Sequence, residues 1–445
     1  MSVASWKPGS TELESLLEED LDSPRLRELL EPVGFANLDR AVESLERMAG
    51  TGESRRLLAG FLMNLLLMLG ETAQPDHALL NFERFAQSVP DRAALFRDLK
   101  QNPRTVEILL RLFVGSQFLT EILLSSPSHL DRLAQHKQLA ELKSVQQLRA
   151  EAEAAMRECD TPDAQLNAVR RFQRWELLRI GICDFVGLFD FRRVTVQLSL
   201  LADALVQTCV QHAYAQSDIS PQGFAVIALG KLGGEELNYS SDIDLLFLAD
   251  ANSQAHWRIG QRIIKALTTM SETGFMYRVD MRLRPWGSSG ELVSSVDSYL
   301  EYLATHAKLW EKQALLKARV IAGDMPLGVG FLKRAEKFLF NLPSDLVRES
   351  VRGMKQKIEA GLAKSGKTWG EVKLGQGSIR DIEFVAQYLQ LIHGGKSRDV
   401  RTFNTLDALV RLADCGFLHA DEYRVLTDGY LFLRTIEHSL QLMHN

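Results

Sequence analysis

The sequence predicts a mostly helical α+β fold, in which a small mixed sheet is flanked by helical regions on its N-terminal and C-terminal sides. Between residues 10 and 215, Leu, Ala, Glu and Arg dominate and apolar residues recur every three or four positions, as in amphipathic helices. At Gln222 the pattern changes to short apolar runs and glycine turns, which indicates strands. A chain of 445 residues is too long for one compact core. We expect a helical region at 1–120, a mixed domain with lead-in helices at 121–328 and a helical bundle at 329–445.

The elements follow in order along the chain. Residues 57–69 form the most apolar run, which is too short to span a bilayer and contains Asn64, so we expect a buried helix there. Residues 161–216 read as one or two long helices that lead into the mixed domain. The mixed domain should then contain, in this order, a strand at 224–229, a glycine turn at 230–234, a short helix at 235–238, a strand carrying Asp242 and Asp244, a helix at 254–273, a strand carrying Asp280 and a helix at 310–319.

Composition and charge narrow the class of protein. The chain is 46% hydrophobic and 24% charged, with a formal net charge of −5 and a pI of about 6.1, and it lacks the basic stripe of a nucleic-acid binder. Its four cysteines have no metal-binding spacing, as expected of reduced thiols. The first eight residues lack the apolar segment of a signal peptide. We therefore expect a cytoplasmic protein with neither nucleic acid nor membrane as a partner.

Two aspartates one residue apart, Asp242 and Asp244, are the strongest chemical signal in the sequence. In a strand, side chains at positions i and i+2 point to the same face, so both carboxylates should converge on one spot. Carboxylates that close repel each other unless a cation lies between them. Oxygen ligands of this kind suit Mg²⁺, which takes its remaining ligands from water and phosphate. The alternative is a solvated strand end.

A third carboxylate, Asp280, lies in a segment whose alternation predicts a strand at 277–283. Asp280 shares one face of that strand with Arg278, Arg282 and Arg284. A carboxylate among arginines fits a site that holds a metal and clamps anionic oxygens bidentately. The alternative is an ion pair between Asp280 and Arg278 or Arg282, in which the arginines only neutralise the acids.

The glycine turn and the serines after it are candidates for phosphate binding. Gly233 and Gly234 allow backbone N–H groups to approach a phosphate, although a plain tight turn would also use two glycines. Ser240 and Ser241 either donate hydrogen bonds to the phosphate or simply begin the strand. Glu311, Lys312, Lys317 and Arg319 are a weaker signal, because a charged helix face is usually solvated.

A further segment at 373–384 ends in a helix that Ser378 is placed to cap. On that helix Arg380, Glu383 and Gln387 share a polar face, which could reach a nucleotide or form surface ion pairs. Ile379, Ile382, Ala386 and Leu389 should form the opposite, buried stripe. The sequence contains no P-loop and no nucleophile elbow, which disfavours those chemistries.

Four strings carry a resemblance to a known family: Gly230-Lys-Leu-Gly-Gly-Glu-Glu-Leu-Asn-Tyr-Ser-Ser-Asp-Ile-Asp-Leu, Tyr277-Arg-Val-Asp-Met-Arg-Leu-Arg-Pro, Trp310-Glu-Lys-Gln-Ala-Leu-Leu-Lys-Ala-Arg and Ile379-Arg-Asp-Ile-Glu-Phe. They resemble the nucleotidyltransferase superfamily of DNA polymerase β and, more closely, the glutamine synthetase adenylyltransferase/adenylyl-removing family, over about residues 165–445. The resemblance implies that Asp242, Asp244 and Asp280 are catalytic and bind two Mg²⁺ ions. The residues expected to bind nucleotide or phosphate are Gly233, Gly234, Ser240, Ser241, Arg282, Arg284, Lys312, Arg319, Arg380 and Glu383.

That family has two nucleotidyltransferase modules in tandem, and this chain holds one Asp-x-Asp module and begins at Met1. We therefore expect it to correspond to the N-terminal half, which removes AMP from a tyrosine of glutamine synthetase by phosphorolysis and releases ADP. The expected partners are adenylylated glutamine synthetase, phosphate, ADP, uridylylated PII protein as activator and the C-terminal adenylylating half, which this chain lacks. One departure is Gln376-Gly377-Ser378, where a Gly-Gly-Ile-Arg type of string is usual, so the role of that loop is open.

Two other classes of function compete with this hypothesis. A template-independent polymerase or RNA-tailing enzyme of the same superfamily would share the aspartates, but the acidic pI argues against it. A non-catalytic module that only binds PII or glutamine synthetase would not need the three aspartates.

Overall fold

The computed structural model describes residues 24–50, 52–133, 139–250, 252–340, 342–366 and 370–444. The helical predictions for residues 10–23 and the expectation about a signal peptide lie outside these residues. The helices before the sheet are Pro24–Leu30, Leu38–Ala49, Glu53–Gly70, Pro75–Ser88, Arg92–Gln101, Pro103–Gly115, Gln117–Ser125, His129–Leu133, Val145–Arg157, Pro162–Phe185 and Phe191–Ala215. The helices within and after the sheet region are Gly230–Gly233, Ser253–Thr268, Val296–Thr305, Leu309–Ala314, Met325–Leu339, Ser344–Lys364, Ile379–His393, Thr405–Asp414 and Ala420–His444.

The described residues group into two compact units. One comprises the residues as far as Glu141, with Trp175–Asp190 and the last residues from Leu442; the other comprises Leu142–Arg174 and Phe191–Gln441. The domain limits that the sequence suggests, at 120/121 and 328/329, stay predictions.

The first unit is a helical assembly with an aromatic core. Phe61 packs against Phe82 and Phe96, with ring centroids 6.4 and 5.6 Å apart, and Phe82 packs edge-on against Phe113 at 5.9 Å. Helix starts are fixed locally: the side chain of Asp91, for example, accepts a hydrogen bond from the backbone N–H of Ala94, as an N-cap does. The apolar run at 57–69 lies within the helix Glu53–Gly70, as predicted, and Asn64 is its exposed polar residue.

The second unit contains the sheet. Its strands are β1 (Phe224–Leu229), β2 (Ile243–Ala249), β3 (Val279–Asp280), β4 (Val293–Ser295) and β5 (Arg319–Gly323). β1 runs antiparallel to β2 and β5, and all of its residues are buried. β3 and β4 both pair with β2 in parallel, and the register aligns Asp244 with Asp280. The mixed sheet therefore brings these two carboxylates to one end of neighbouring strands.

The α+β prediction is confirmed. Asp242, expected on the strand with Asp244, lies just before β2, and the helix expected at 254–273 ends at Thr268. Three further local predictions in the sheet region are wrong. The short helix is Gly230–Gly233 and not 235–238. The predicted strand at 277–283 shortens to Val279–Asp280, because the guanidinium of Arg284 holds the next residues in a loop by donating to the carbonyls of Met281, Ser288 and Gly290.

The predicted helix at 310–319 is the third error, since it ends at Ala314. A 3-10 turn, Leu315–Lys317, follows, and Arg319 begins β5. Tertiary contacts explain the change: Arg319 pairs with Asp203 and donates to the carbonyls of Leu232 and Gly233. These partners lie far away in sequence, so local periodicity could not reveal them.

The long lead-in region forms two helices, Pro162–Phe185 and Phe191–Ala215. Among the described residues, Phe191–Ala215 is the one helix long and apolar enough to cross a membrane. Of its most apolar stretch of 18 residues, 78% is buried inside the protein. Such burial is typical of a core helix.

The helix Ile379–His393 confirms the predicted buried stripe. Ile379, Ile382 and Ala386 are buried in one hydrophobic cluster, and Leu389 packs against it. Ser378 occupies the N-cap position, but its hydroxyl is buried without a hydrogen-bond partner among the described residues. The helix start is instead closed by Asp381, whose carboxylate accepts from the N–H of Gly377 at 2.8 Å.

Candidate functional site

A cavity of about 480 Å³ opens in the second unit at the end of the sheet where β1 leads into Gly230. Its lining combines three acidic and five basic residues with apolar and amide side chains. The charged lining residues are Asp244, Asp280, Glu383, Lys231, Arg282, Lys317, Lys373 and Arg380. The remaining lining residues are Gly230, Leu283, Trp310, Gln313, Ala314, Met354, Ile379, Phe384 and Gln387. A cavity with more basic than acidic groups suits an anionic ligand.

Asp244 is the more buried of the two aspartates in this cavity. Burial raises the pKa of its carboxyl to about 6, and the neighbouring Asp280 carboxylate adds to the effect. No hydrogen bond from the described residues reaches the Asp244 carboxylate, although Lys373 and Arg282 act on it electrostatically. Gly230 makes room for it: with φ of +57°, a Cβ atom there would lie 2.1 Å from Asp244 Oδ2.

Asp280 is engaged by an arginine two residues further on. Arg282 donates from Nε to Asp280 Oδ2 at 2.9 Å and from its backbone N–H to Oδ1 at 2.8 Å. These hydrogen bonds hold the pKa of the Asp280 carboxyl below its usual value. The ion pair between Asp280 and Arg282, which was the alternative role for Asp280, is therefore present. The Arg282 side chain is 80% exposed, so it can exchange Asp280 for another anion at little cost.

The pair Asp244 and Asp280 fits a divalent cation that is shared with a substrate. A half-buried carboxylate that accepts no hydrogen bond from the described residues, beside a second carboxylate, is the environment that a cation stabilises. Within the described residues, no group of three His, Cys, Asp or Glu side chains forms a complete ligand set. The protein would thus supply two carboxylates, and ligand phosphate oxygens and water would supply the rest.

A network of buried charges fixes the basic side chains on the other side of the cavity. Lys317 Nζ lies 2.7 Å from a carboxylate oxygen of both Glu236 and Glu383. Burial acts to raise the pKa of Glu383, but Lys317 and Arg380 outweigh it and the pKa is lowered. Lys317 therefore bridges the two acids and holds the Ile379–His393 helix against Glu236, which precedes β2.

The helix Ala420–His444 joins the same network. Glu437 accepts from Lys231 Nζ at 2.5 Å, and Arg434 donates to the Glu236 carbonyl and to Asn238 Oδ1, both at 2.6 Å. Burial, followed by the nearby Arg434, lowers the pKa of Lys231 to about 8. The Glu437 carboxylate acts in the opposite direction and favours the charged form of Lys231 at the cavity wall.

Several residues expected at the site lie outside the cavity. Asp242 does not line the cavity: it is 53% exposed and accepts from Arg278 Nε at 2.5 Å, although its charge still acts on Asp244. The carbonyl of Ser240 accepts from the same arginine at 2.5 Å. The hydroxyl of Ser241 is buried with no partner among the described residues.

The two glycines after Gly230 serve packing. A Cβ atom on Gly233 would lie 2.0 Å from the Lys317 carbonyl oxygen, and one on Gly234 would lie 3.3 Å from the Phe403 carbonyl oxygen. Both glycines are buried against backbone. Their phosphate-binding role stays a prediction that the geometry does not favour.

The remaining predicted anion ligands divide into two groups. Arg282, Arg380 and Glu383 line the cavity. Arg284 and Arg319 do not: the first holds the loop after β3, and the second pairs with buried Asp203 and supports β5. Lys312 is half-buried outside the lining, and burial lowers its pKa.

Sequence reasoning missed several lining residues, above all Gly230, Lys231 and Lys373, and it undervalued Lys317. The Gly230-Lys231 dipeptide directly after an apolar strand was a usable signal, because a glycine there admits a positive φ. Lys373 lies in a segment marked by its glycines. Lys317 gave no local signal, since its two carboxylate partners are 81 and 66 residues away.

Two family models match parts of this chain. A family model for glutamate-ammonia ligase adenylyltransferase matches residues 106–334, and one described as GlnD PII-uridylyltransferase matches residues 352–445. Curated relatives named bifunctional glutamine synthetase adenylyltransferase/adenylyl-removing enzyme include one from Pseudomonas aeruginosa, which is 33% identical over 81% of this chain and 39% of its own length.

Another relative of that name, from Pseudomonas syringae pv. tomato, is 35% identical over 74% of this chain and 36% of its own length. A third, from Thioalkalivibrio sulfidiphilus, is 30% identical over 98% of the chain and 49% of its own length. The chain thus spans less than half the length of these relatives. Because the first family model covers more than half of the residues, the chain belongs to the glutamate-ammonia ligase adenylyltransferase family.

Proposed function

We propose that this chain removes AMP from an adenylylated tyrosine of glutamine synthetase, with phosphate as the acceptor, and so regulates nitrogen assimilation. The observation that carries the proposal is the placement of Asp244 and Asp280 side by side in a cavity with five basic residues. That arrangement suits metal-dependent transfer of a nucleotidyl group. The resemblance to the adenylyl-removing half favours removal over attachment.

The two cavity carboxylates would hold Mg²⁺, whose other ligands would be phosphate oxygens and water. When bound, Mg²⁺ would offset negative charge on the transferring phosphoryl group. A second ion would need Asp242 as well, and Arg278 would first have to release it. Both side chains of that pair are more than half exposed, so their separation costs little.

The proposed reaction is an in-line displacement. A phosphate oxygen forms a bond to the α-phosphorus of the AMP group, and the bond from that phosphorus to the tyrosine oxygen breaks. The electron pair goes to the tyrosine oxygen, which then takes a proton from water. The products are ADP and unmodified tyrosine.

The protein's main contribution would be to bring two anions together. Arg282, Lys373 and Arg380 line the cavity and would bind phosphate oxygens, which lowers the repulsion between phosphate and the AMP group. Arg282 lies on the surface and pairs with Asp280. Its move from Asp280 to phosphate would free the Asp280 carboxylate for the metal at the same time.

The test is to incubate the chain with adenylylated glutamine synthetase, Mg²⁺ and phosphate, and to measure ADP. We expect ADP only with phosphate and metal, and none from Asp244→Asn or Asp280→Asn. Asp297→Asn is the matched control, because Asp297 is 85% exposed and pairs on the surface with Arg334. Formation of AMP would show that water is the acceptor. Adenylylation of glutamine synthetase from ATP without any ADP-forming removal would refute the proposed direction.

The expected partners can be added to the same assay. Uridylylated PII would act as activator, and the cytoplasm would be the place of action. If no product forms with or without uridylylated PII, while PII or glutamine synthetase still binds, the non-catalytic module is correct. An RNA-tailing enzyme would instead incorporate nucleotides into RNA, which the same preparation can be tested for.

A further inference from the structure

A second cavity, of about 500 Å³, lies elsewhere in the second unit. It is walled by the first turns of the helix Pro162–Phe185, the last turns of Phe191–Ala215 and the end of Ser253–Thr268. It shares no lining residue with the cavity at Asp244. Its size is that of pockets that bind small metabolites.

The charged groups of this second cavity are mainly basic. Arg170, Arg262 and Lys265 line it, and Asp163 is the single acidic residue in the lining. Arg262 donates from NH1 to the Gln216 carbonyl at 2.8 Å, and both Arg262 and Lys265 are exposed. Across the described residues, neither of these two side chains makes an ion pair with a carboxylate within 4.0 Å. Their charge is therefore available to a ligand.

Arg170 is the unusual member of the set, because it is a buried cation with no carboxylate of the described residues within 4.0 Å, and the exposed Asp163 acts on it only at longer range. Only 4% of Arg170 is exposed, yet no carboxylate in the described part of the chain lies within ion-pairing distance of it. Its NH1 donates to Asn167 Oδ1 at 2.8 Å and its NH2 to the Ala266 carbonyl at 3.2 Å. Its Nε atom is buried and has no partner among the described residues.

A buried guanidinium group is costly unless an anion compensates it. Burial lowers the pKa of Arg170, as expected for a charge removed from water with too little compensation. Neutral polar groups suited to hydrogen bonding surround the same space, among them Asn167, Thr269 and Ser271. The combination of a buried arginine, two exposed basic residues and neutral donors is typical of sites that bind oxyanions.

We propose that this cavity binds a small oxyanion, a carboxylate or phosphate compound of metabolite size, with Arg170 as the buried ligand and Arg262 and Lys265 as the exposed ones. The Nε–H group of Arg170, which is buried without a partner among the described residues, can donate to one oxygen of such a ligand. The inference does not depend on the proposed function, because none of these residues belongs to the Asp244 cavity.

The test is calorimetric titration of the whole chain with succinate and, separately, with inorganic phosphate. We expect binding at millimolar concentration or tighter, and a loss in affinity of about threefold to tenfold for Arg262→Gln and for Lys265→Gln, as for one charge-assisted contact of about 1 kcal/mol. The matched control is Arg258→Gln, which removes an exposed arginine from the same helix outside the cavity. Arg258→Gln should bind both probes like the unmodified chain.

Phosphate can also bind at the Asp244 cavity, so a Lys373→Gln variant separates the two sites. Binding that weakens in Arg262→Gln and persists in Lys373→Gln belongs to the second cavity. Preference for succinate would identify a carboxylate ligand, and preference for phosphate a phosphate compound. The proposal is overturned if neither probe binds, or if the Arg262 and Lys265 variants bind both probes unchanged.

Discussion

The carboxylate of Asp244 should lower the stability of the folded protein, so replacing it by asparagine should stabilise the chain while abolishing activity. Burial, with help from Asp280, raises the pKa of Asp244 from 3.8 to about 6. A shift of about two pKa units corresponds to about 3 kcal/mol of unfavourable free energy for the ionised folded state. Asparagine has nearly the same shape and no charge. We expect Asp244→Asn to raise the free energy of unfolding by about 1–3 kcal/mol at pH 7.5 without metal.

The predicted difference in stability between Asp244→Asn and the unmodified chain depends on pH. The pKa of Asp244 is higher in the folded than in the unfolded chain, so the folded state binds the proton more tightly. The penalty is therefore complete at pH values well above 6 and fades as the pH falls toward 3.8. The stability difference between the Asn variant and the unmodified chain should be largest at pH 7.5 and about half as large at pH 5.

The measurement is urea-induced unfolding at both pH values, in a chelating buffer and again with Mg²⁺. Mg²⁺ should stabilise the unmodified chain and leave Asp244→Asn unaffected, because the variant has lost a ligand. Asp242→Asn is the matched control: its carboxylate is 53% exposed, so we expect a change within about 0.5 kcal/mol. An Asp244→Asn variant that is less stable than the unmodified chain at pH 7.5 without metal would refute the reasoning.

Two other substitutions test residues that support the structure of the cavity. Lys317→Met should destabilise the chain by about 3–5 kcal/mol, because it leaves two buried carboxylates without their cation. Lys333→Met, at an exposed position, should change the unfolding free energy by less than about 0.5 kcal/mol, and equal losses would contradict the role of Lys317. Gly230→Ala should abolish activity and destabilise by more than about 1 kcal/mol, since its φ is +57° and its Cβ would collide with the Asp244 carboxylate. Gly330→Ala is the control, because Gly330 is a helical glycine with open space around it. Urea unfolding should show that Gly330→Ala stabilises the chain by about 0.5–1 kcal/mol. A similar stabilisation by Gly230→Ala would be inconsistent with the geometry.

Local sequence pattern was enough to predict the apolar helix at 57–69 and the strand at 224–229, but not the short helices of the sheet region. The continuous apolar run at 57–69 lies within the helix Glu53–Gly70, and the apolar run at 224–229 is strand β1. Apolar runs depend on neighbours in sequence, so they are recognisable without a structure. Asp244 and Asp280 both lie on strands, as predicted, but their alignment arises from the pairing of β2 with β3, which no local pattern specifies.

The residue pattern alone is sufficient for the α+β class and for the presence of several carboxylates with arginines nearby. Which of these charges meet depends on tertiary contacts: Asp242 lies outside the cavity, Arg319 pairs with Asp203, and Lys317 bridges two acids. The physical reason is that a charged side chain has the same local signature whether it is solvated, ion-paired or aimed at a ligand. Its burial and its partners arise from residues up to some two hundred positions away, as the contact of Lys231 with Glu437 illustrates.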